Sequence, residues 1–439
     1  LRRRWLRALG AWLVLAAILV SPGATEPPAA LLAAPGGTPP PGADAQARAV
    51  PRLAVERDRL RATQASRAAQ RPPPAGVTAT VAPGGAVRAE KLGFGLADVS
   101  TGPGSTLELA ARAGAGWMLG WVSWQNIEPS RGVFAWQSGG ANDLDNVADG
   151  GRAYGLKVLV RVQSPPAWAT TDGSGHLARV DPAEVRRSME ALARRGAGRV
   201  AAYQVFNEPN LTYEWGEEVD AAAAATYVRL LRAAYQGLKA GDPQALVVSA
   251  GMANGATAPS LNDLDYLRAF YAAGARGTFD ALDTHPYGGN TPPESTDCGG
   301  TCFRRAEVQR QIMVDAGDGA TPMWATELGW LQESDYDMGP YFEWHKVSAQ
   351  QQADYLVRAF QYAERTWPWM GPMFVFNHDH STAMWCGGPC YPPTTSVYWF
   401  SVLNPDRSAR PAYTALVAMP KVPGPATRTA PARGSERGR

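Results

Sequence analysis

The run Tyr203-Gln-Val-Phe-Asn-Glu-Pro-Asn210 decides how the chain folds. Four mostly apolar residues lead into an Asn-Glu pair, and Pro209 stops the run. A buried strand that ends at proline leaves its last side chains at the rim of a sheet. Asn207 and Glu208 are therefore expected at the C-terminal end of a strand, where α/β barrels carry their functional groups. Met323-Trp-Ala-Thr-Glu-Leu-Gly329 repeats the pattern and delivers a second carboxylate, Glu327.

Working outward, strands are predicted over 92–97, 116–122, 157–163, 201–207, 246–250, 280–284, 323–327 and 373–377. Helical periodicity falls between them, at 105–113, 144–154, 182–195, 221–240, 262–273, 306–316 and 349–365, with a last helix near 411–417. Eight strands alternating with helices in one domain predict a (β/α)8 TIM barrel. The alternative, an open doubly wound sheet, usually announces a glycine-rich phosphate loop after its first strand. Here Gly93-Phe-Gly95 lies inside the strand, and no G-x-G-x-x-G opens a helix. On this count Glu208 ends strand 4 and Glu327 ends strand 7, 119 residues later. Three βα units of about 31 residues each leave an excess. One insert after strand 6, from Gly288 to Thr301, absorbs it.

The formal charge of +2 conceals a division. Residues 1–90 hold 12 arginines against 5 acids, and 421–439 hold five bases against one. Residues 91–420 carry 25 bases against 34 acids. An acidic body argues against nucleic acid as the partner and fits a neutral or cationic ligand better. The stretch 1–24 opens with Arg2, Arg3, Arg4 and Arg7, continues as the apolar run Ala8–Val20 and closes on small residues. That is the layout of a signal peptide, and the run is short of the roughly 20 residues that span a bilayer comfortably. A secreted or extracytoplasmic protein is expected, with attachment to the membrane through an uncleaved segment as the alternative. Residues 25–90, rich in Pro, Ala and Arg, read as a disordered linker, although 43–70 could form an Arg-rich helix. Residues 91–420 are expected to form the barrel, and 421–439 a disordered tail. Nothing in the sequence fixes the oligomeric state, and no cofactor or metal is called for.

Two glutamates at two strand ends are what cleavage of a glycosidic bond requires. One carboxyl is held protonated to feed the leaving oxygen; the other is ionised, to attack or to activate water. Here the motifs reach a resemblance. Asn207-Glu208-Pro209 followed by a strand-end glutamate resembles the clan of retaining (β/α)8 glycoside hydrolases. His285-Pro-Tyr287 resembles the clan's His-x-Tyr after strand 6. Trp124-Gln-Asn-Ile-Glu-Pro-Ser-Arg-Gly-Val-Phe-Ala-Trp136 resembles its signature after strand 2. Ser164-Pro-Pro-Ala-Trp168 is similar to glycoside hydrolase family 39 and its relatives. The resemblance runs from about Leu92 to Val417. It implies Glu208 as acid/base, Glu327 as nucleophile, Asn207 on the sugar 2-hydroxyl and Tyr287 against the nucleophile. One position departs from the pattern. Where many members end strand 8 with Trp, this chain has Phe376-Asn-His378, and Trp385 in the loop beyond is the candidate replacement.

Other residues are read with their plainer alternatives beside them. Trp124, Trp168, Trp215, Trp330 and Trp385 are expected to line the substrate cleft, since a flat ring stacks on a sugar face; packing is the alternative. Arg161 and Gln163 share one face of strand 3. If inward, Gln163 reaches the substrate; filling of the barrel core is the rival. His285 could equally be a structural histidine. Glu128 reads as structural, and Glu214, Glu217 and Glu218 as solvated charge. Cys298-Gly-Gly-Thr-Cys302 and Cys386-Gly-Gly-Pro-Cys390 read as two short disulfide loops, 298–302 and 386–390. Cross-loop bridges or a four-thiolate zinc site stay open. The rival functions are a non-catalytic cell-surface polysaccharide binder and a zinc hydrolase using the cysteines or His285, His378 and His380.

Overall fold

The structure, a computed structural model, describes residues 85–137, 143–297, 300–384 and 388–422. The expected leader, the linker up to residue 84 and the tail from residue 423 lie outside these residues. Residues 85–90 and 421–422, expected as linker and tail, are instead ordered parts of the barrel domain, because Val87 and Arg88 pair in parallel with Lys421 and Val422. No helix among the described residues is long and apolar enough to cross a membrane.

Eight parallel strands form one sheet: β1 (Leu92–Gly95), β2 (Trp117–Ser123), β3 (Lys157–Gln163), β4 (Ala202–Val205), β5 (Leu246–Val248), β6 (Leu282–Thr284), β7 (Met323–Leu328) and β8 (Met370–Val375). Their order is β5-β4-β3-β2-β1-β8-β7-β6. Met373 of β8 lies opposite Leu92 of β1. Between β5 and β6, Val248 bridges Ala281, and Ser249 N donates to the Ala281 carbonyl at 3.1 Å, so the sheet closes on itself. A helix follows each strand: α1 (Thr106–Arg112), α2 (Leu144–Ala153), α3 (Pro182–Gly196), α4 (Ala221–Gly241), α5 (Asp263–Ala272), α6 (Arg305–Asp315), α7 (Ala349–Thr366) and α8 (Pro411–Ala418). This is the (β/α)8 barrel that the alternation predicts.

Local chemistry sets the helix starts. Asp181 caps α3 by accepting from Ala183 N, with Pro182 in the first turn. Asp220 caps α4, and Ser348 with Gln351 forms a reciprocal capping box on α7. Each such cap stabilises its helix by about 1 kcal/mol.

The barrel interior is layered by the two-residue period of the strands. Trp117, Leu119, Leu159, Ala202, Ala281, Trp324 and Phe374 form one buried apolar cluster in its lower part. One step of that period toward the C-terminal end, β3 presents Arg161, β4 Gln204, β6 Asp283 and β7 Thr326, all buried. The floor is apolar and the mouth is polar. At the opposite, N-terminal end, Val87 and Arg88 pair with Lys421 and Val422 and tie the two ends of the barrel domain together.

Candidate active site

The fourth strand is shorter than expected. Its ladder ends at Val205, and the backbone turns left-handed at Phe206 (φ 65°) and again at Glu208 (φ 34°). Such angles are costly for residues other than glycine and persist where the surroundings over-determine them. Here the Phe206 ring is buried in the core, and Glu208 N donates to the Gly251 carbonyl at 3.2 Å. Asn207 and Glu208 therefore stand just beyond the pleat rather than on its last residues.

Glu327 arrives by a different device. Along β8, Met373 and Val375 are two residues apart; their partners on β7, Ala325 and Leu328, are three apart. The extra residue is the mark of a β-bulge. It explains why the adjacent side chains of Thr326 and Glu327 both reach the mouth, against strict alternation.

The two glutamates meet. One carboxylate oxygen of each and a ring nitrogen of His285 all lie within 4.8 Å of one another. Arg161 Nη1 donates to Glu327 Oε1 at 2.5 Å and the Tyr287 hydroxyl donates to Oε2 at 2.6 Å. His285 Nδ1 bonds Glu208 Oε1 at 2.8 Å, and its Nε2 bonds Thr326 Oγ1 at 3.1 Å. Behind them Asp283 accepts from Gln204, Thr284 and both the amide and hydroxyl of Thr326. Gly251 makes room for this layer, since a Cβ there would lie 2.3 Å from the His285 ring.

The environments push the two carboxyls apart. Burial pushes Glu208 up, and the charge of Glu327 adds to it; the hydrogen bond from His285 opposes without winning. Burial also pushes Glu327 up, but the positive charges of His285 and Arg161 and their hydrogen-bonding neighbours overcome it and hold it down. Burial would neutralise His285, yet the surrounding Glu327, Asp283 and Glu208 raise it to about 10. Both ring nitrogens are engaged, Nδ1 with Glu208 and Nε2 with Thr326.

Asn207 donates from Nδ2 to Glu214 Oε1 at 3.0 Å, while its Oδ1 is buried without a partner, as is Glu208 Oε2. Glu214 is not simply solvated charge. It is half-buried on the short helix Thr212–Trp215, and burial together with the neighbouring carboxylates pushes it up to about 8. Glu217 does pair at the surface, with Arg179, and Glu218 is exposed. Glu128 is structural: it accepts from Trp124, Gly132, Arg187 and Ser188.

The tryptophan expectation needs correction. Trp124, Trp215 and Trp330 are at most 2% exposed and belong to the main core cluster. Each loop folds its ring inward to bury apolar area. Trp330 packs on Gly288, where a Cβ would fall 1.9 Å from the indole, and its Nε1 donates to the Thr291 carbonyl. Trp168 is half-buried, with Arg187 over its ring and Trp124 at its edge. Trp385 lies outside the described residues. At the expected strand-8 position Phe376 packs edge-on against Tyr287 and Phe400. Cys302 and Cys390 are not free thiols; Cys298 and Cys386 lie outside the described residues.

Two hollows lie next to the site through Tyr287 and Glu214, and neither is lined by Glu208 or Glu327. One of about 560 Å³ is lined by Gln163, Ser164, His176, Tyr213 and Glu214 among others. A smaller one, of about 40 Å³, is lined by Tyr287, Tyr341, His345 and Phe400 among others. Gln163 thus faces the cleft. Tyr213, lining the larger hollow, and Tyr341, lining the smaller, are exposed at 37% and 45%, unlike the buried tryptophans. Neither tyrosine carries a sequence signal beyond its place in a strand-end loop. Arg161 carries one, its shared face with Gln163, but that face could be assigned only in three dimensions.

No family model and no curated protein matches the chain. Solved structures do. A family 39 glycoside hydrolase from Bacteroides cellulosilyticus WH2 is 17% identical, with a TM-score of 0.55 over 76% of this chain. The chain spans 64% of that protein's length. A glucosidase from Croceicoccus marinus is 16% identical, with a TM-score of 0.54 over 77% of this chain and 68% of its own. A monomeric β-xylosidase from Caulobacter crescentus CB15 is 18% identical, with a TM-score of 0.52 over 77% and 70%. The chain has the (β/α)8 fold of these glycoside hydrolases.

Proposed function

We propose that the chain is an exported retaining glycoside hydrolase that cleaves β-glycosidic bonds in an oligo- or polysaccharide. The observation that carries this reading is the pairing of the two carboxyls, one oxygen of each within 4.8 Å of the other, with one group pushed up and one held down. Retaining enzymes hold their carboxyls about 5–5.5 Å apart, whereas inverting ones need about 6.5–9.5 Å to admit water. Environments that split two carboxyls assign acid and nucleophile.

In the first step the Glu327 carboxylate forms a bond to the anomeric carbon. Glu208 gives its proton to the departing glycosidic oxygen as that bond breaks. His285 occupies Glu208 Oε1, so the proton sits on the unpartnered Oε2. Arg161 and Tyr287 orient Glu327 and spread its charge. In the second step Glu208, now ionised, takes a proton from water. The water oxygen displaces Glu327 and regenerates the starting state.

The test is the stereochemistry of the first product, read by proton NMR on an activated aryl β-glycoside. Net retention is expected, and E208Q and E327A are each expected to abolish turnover of natural substrate. An inverted first product, or wild-type-like turnover in either variant, overturns the assignment. Export rests on the basic and apolar opening of the chain, and the 298–302 and 386–390 disulfide pairing on the short cysteine spacings. Mass spectrometry of the mature protein under non-reducing conditions tests both. Free thiols would remove the pairing, and an uncut N-terminus would replace the secreted form with the membrane-anchored one.

A further inference from the structure

We infer that the hollow at the N-terminal end of the barrel, the end opposite the two glutamates, is a second ligand site that takes a small organic monocarboxylate built on a single ring. This goes beyond the glycosidase reading and does not rest on it.

The first argument is the cavity. The starts of β1, β2, β3, β7 and β8 surround a hollow of about 270 Å³, walled by Trp117, Trp324 and Pro372 among others. The two indoles meet edge-on with ring centres 5.0 Å apart. The volume is close to the roughly 300 Å³ at which small-molecule pockets begin, room for about one ring. Lys157 opens β3 at this end and Gln163 closes it at the other, about 20 Å away at about 3.3 Å per residue. The hollow is therefore separate from the catalytic mouth.

The second argument is charge. Residues 91–420 are acidic as a whole, yet this hollow is lined by Arg88, Lys91 and Lys157 against one acid, Glu90. Arg88 pairs with Glu364 at 2.8 Å and with Glu90 at 3.7 Å. Lys91 stands 3.6 Å from the second oxygen of Glu364. That is an ion pair without a hydrogen bond: Lys91 is 3% exposed, and its ammonium donates to nothing. Burial pulls it below the ordinary lysine range, and Glu364 restores only part of the loss. Lys157 is exposed, has no carboxylate in ion-pair reach among the described residues, and lies 5.4 Å from the centre of the Trp117 ring. Three cations thus share two carboxylates, and one further negative charge balances them. A carboxylate supplies that charge and the missing acceptors, and charge-assisted bonds of this kind are the strong ones. The indole walls call for an apolar body behind it, which a bare inorganic anion lacks. The chain's own flanking segments do not bring the charge, since 72–84 and 423–435 contain no Asp or Glu.

The experiment is calorimetric titration of the full chain at pH 7 with four probes: sodium benzoate and benzamide, and sodium glucuronate and methyl glucoside. At least one acid is expected to bind at least 10-fold more tightly than its uncharged match, and which one does so tells an aromatic acid from an acidic sugar. In K157Q and in K91M that preference is expected to fall at least 5-fold. K157Q alters an exposed side chain and keeps the test decisive should K91M fail to fold. Neither acid exceeding its uncharged match overturns the inference, as does a preference unmoved in K157Q. Sodium sulfate bound as tightly as the better acid overturns it too, since the site would then hold a bare anion. Because binding is read directly, the outcome stands whether or not the chain proves to be a glycosidase.

Discussion

Two ends of the barrel mouth carry buried histidines, and they behave in opposite ways. His285 follows β6; His378 and His380 follow β8; all three are at most 1% exposed. Burial alone drives an imidazole neutral. It does so after β8, where His378 bonds the Thr106 carbonyl and falls to about 4, and His380 sits among Trp121, Phe376 and Tyr391 rings and falls to about 3. After β6 the same burial is outweighed. Glu208 at 2.8 Å, Asp283 at 3.4 Å and Glu327 at 3.8 Å raise His285 to about 10. His380 also has a carboxylate nearby, Asp379 at 3.9 Å, but burial raises that group to about 7; three close carboxylates at His285 against one at His380, not depth, separate the two strand ends. The His285 charge keeps Glu327 ionised.

The largest test of this contrast removes the group that the charge serves. E327A is expected to lower kcat by at least about 10⁴-fold, beyond the usual range for a single acid or base. Burst and steady-state kinetics on an aryl glycoside would measure it. H285N comes next, with an expected loss of about 10–100-fold. Its signature is in the pH profile of kcat/KM. Without the imidazolium, Glu327 ionises at higher pH, so the acid limb moves up; Glu208 also loses a partner that lowers it, so the basic limb moves up too. H378Q should leave both limbs in place. If it shifts them as H285N does, the contrast is wrong.

Stability should divide along the same line. The folded pKa of His285 lies above the ordinary 6.5, so its contribution is complete below about pH 6.5 and is lost as pH rises toward about 10. Those of His378 and His380 lie below 6.5, so their contributions are present above it and are lost as pH falls toward about 4 and about 3. Urea unfolding across pH should therefore show a flatter alkaline side in H285N and a flatter acid side in H380F. The smallest effect is expected at the rim. Y341A, which removes a half-exposed ring beside Tyr287, should raise KM a few-fold with kcat nearly unchanged. A collapse of kcat instead would mean that the ring orders Tyr287 rather than meeting sugar.

Much of this was legible in one dimension, and particular residues show where legibility stops. Glu208 was marked by the Asn and Pro beside it, and Glu327 by its strand-end place. Tyr287 was marked by the His-Pro-Tyr run, and the structure sets its hydroxyl 2.6 Å from Glu327. Trp330 and Trp215 were not legible as core, because a ring just past a strand end can turn either way, and burial of apolar area turned these inward. Glu214 looked solvated because its loop is acidic; its bond to Asn207 depends on how that loop folds back.

The sequence by itself determined the eight strand–helix units and the two glutamates near strand ends. Hydrophobic period and proline stops act over a few neighbours and need no knowledge of the rest. The tertiary structure alone decided which carboxyl keeps its proton, which face of β3 turns inward and which rings stay uncovered. Those depend on partners brought together by barrel closure, such as His285 with Glu208 across 77 residues and Arg161 with Glu327 across 166. Charge and burial act through space, and chain order does not carry that distance.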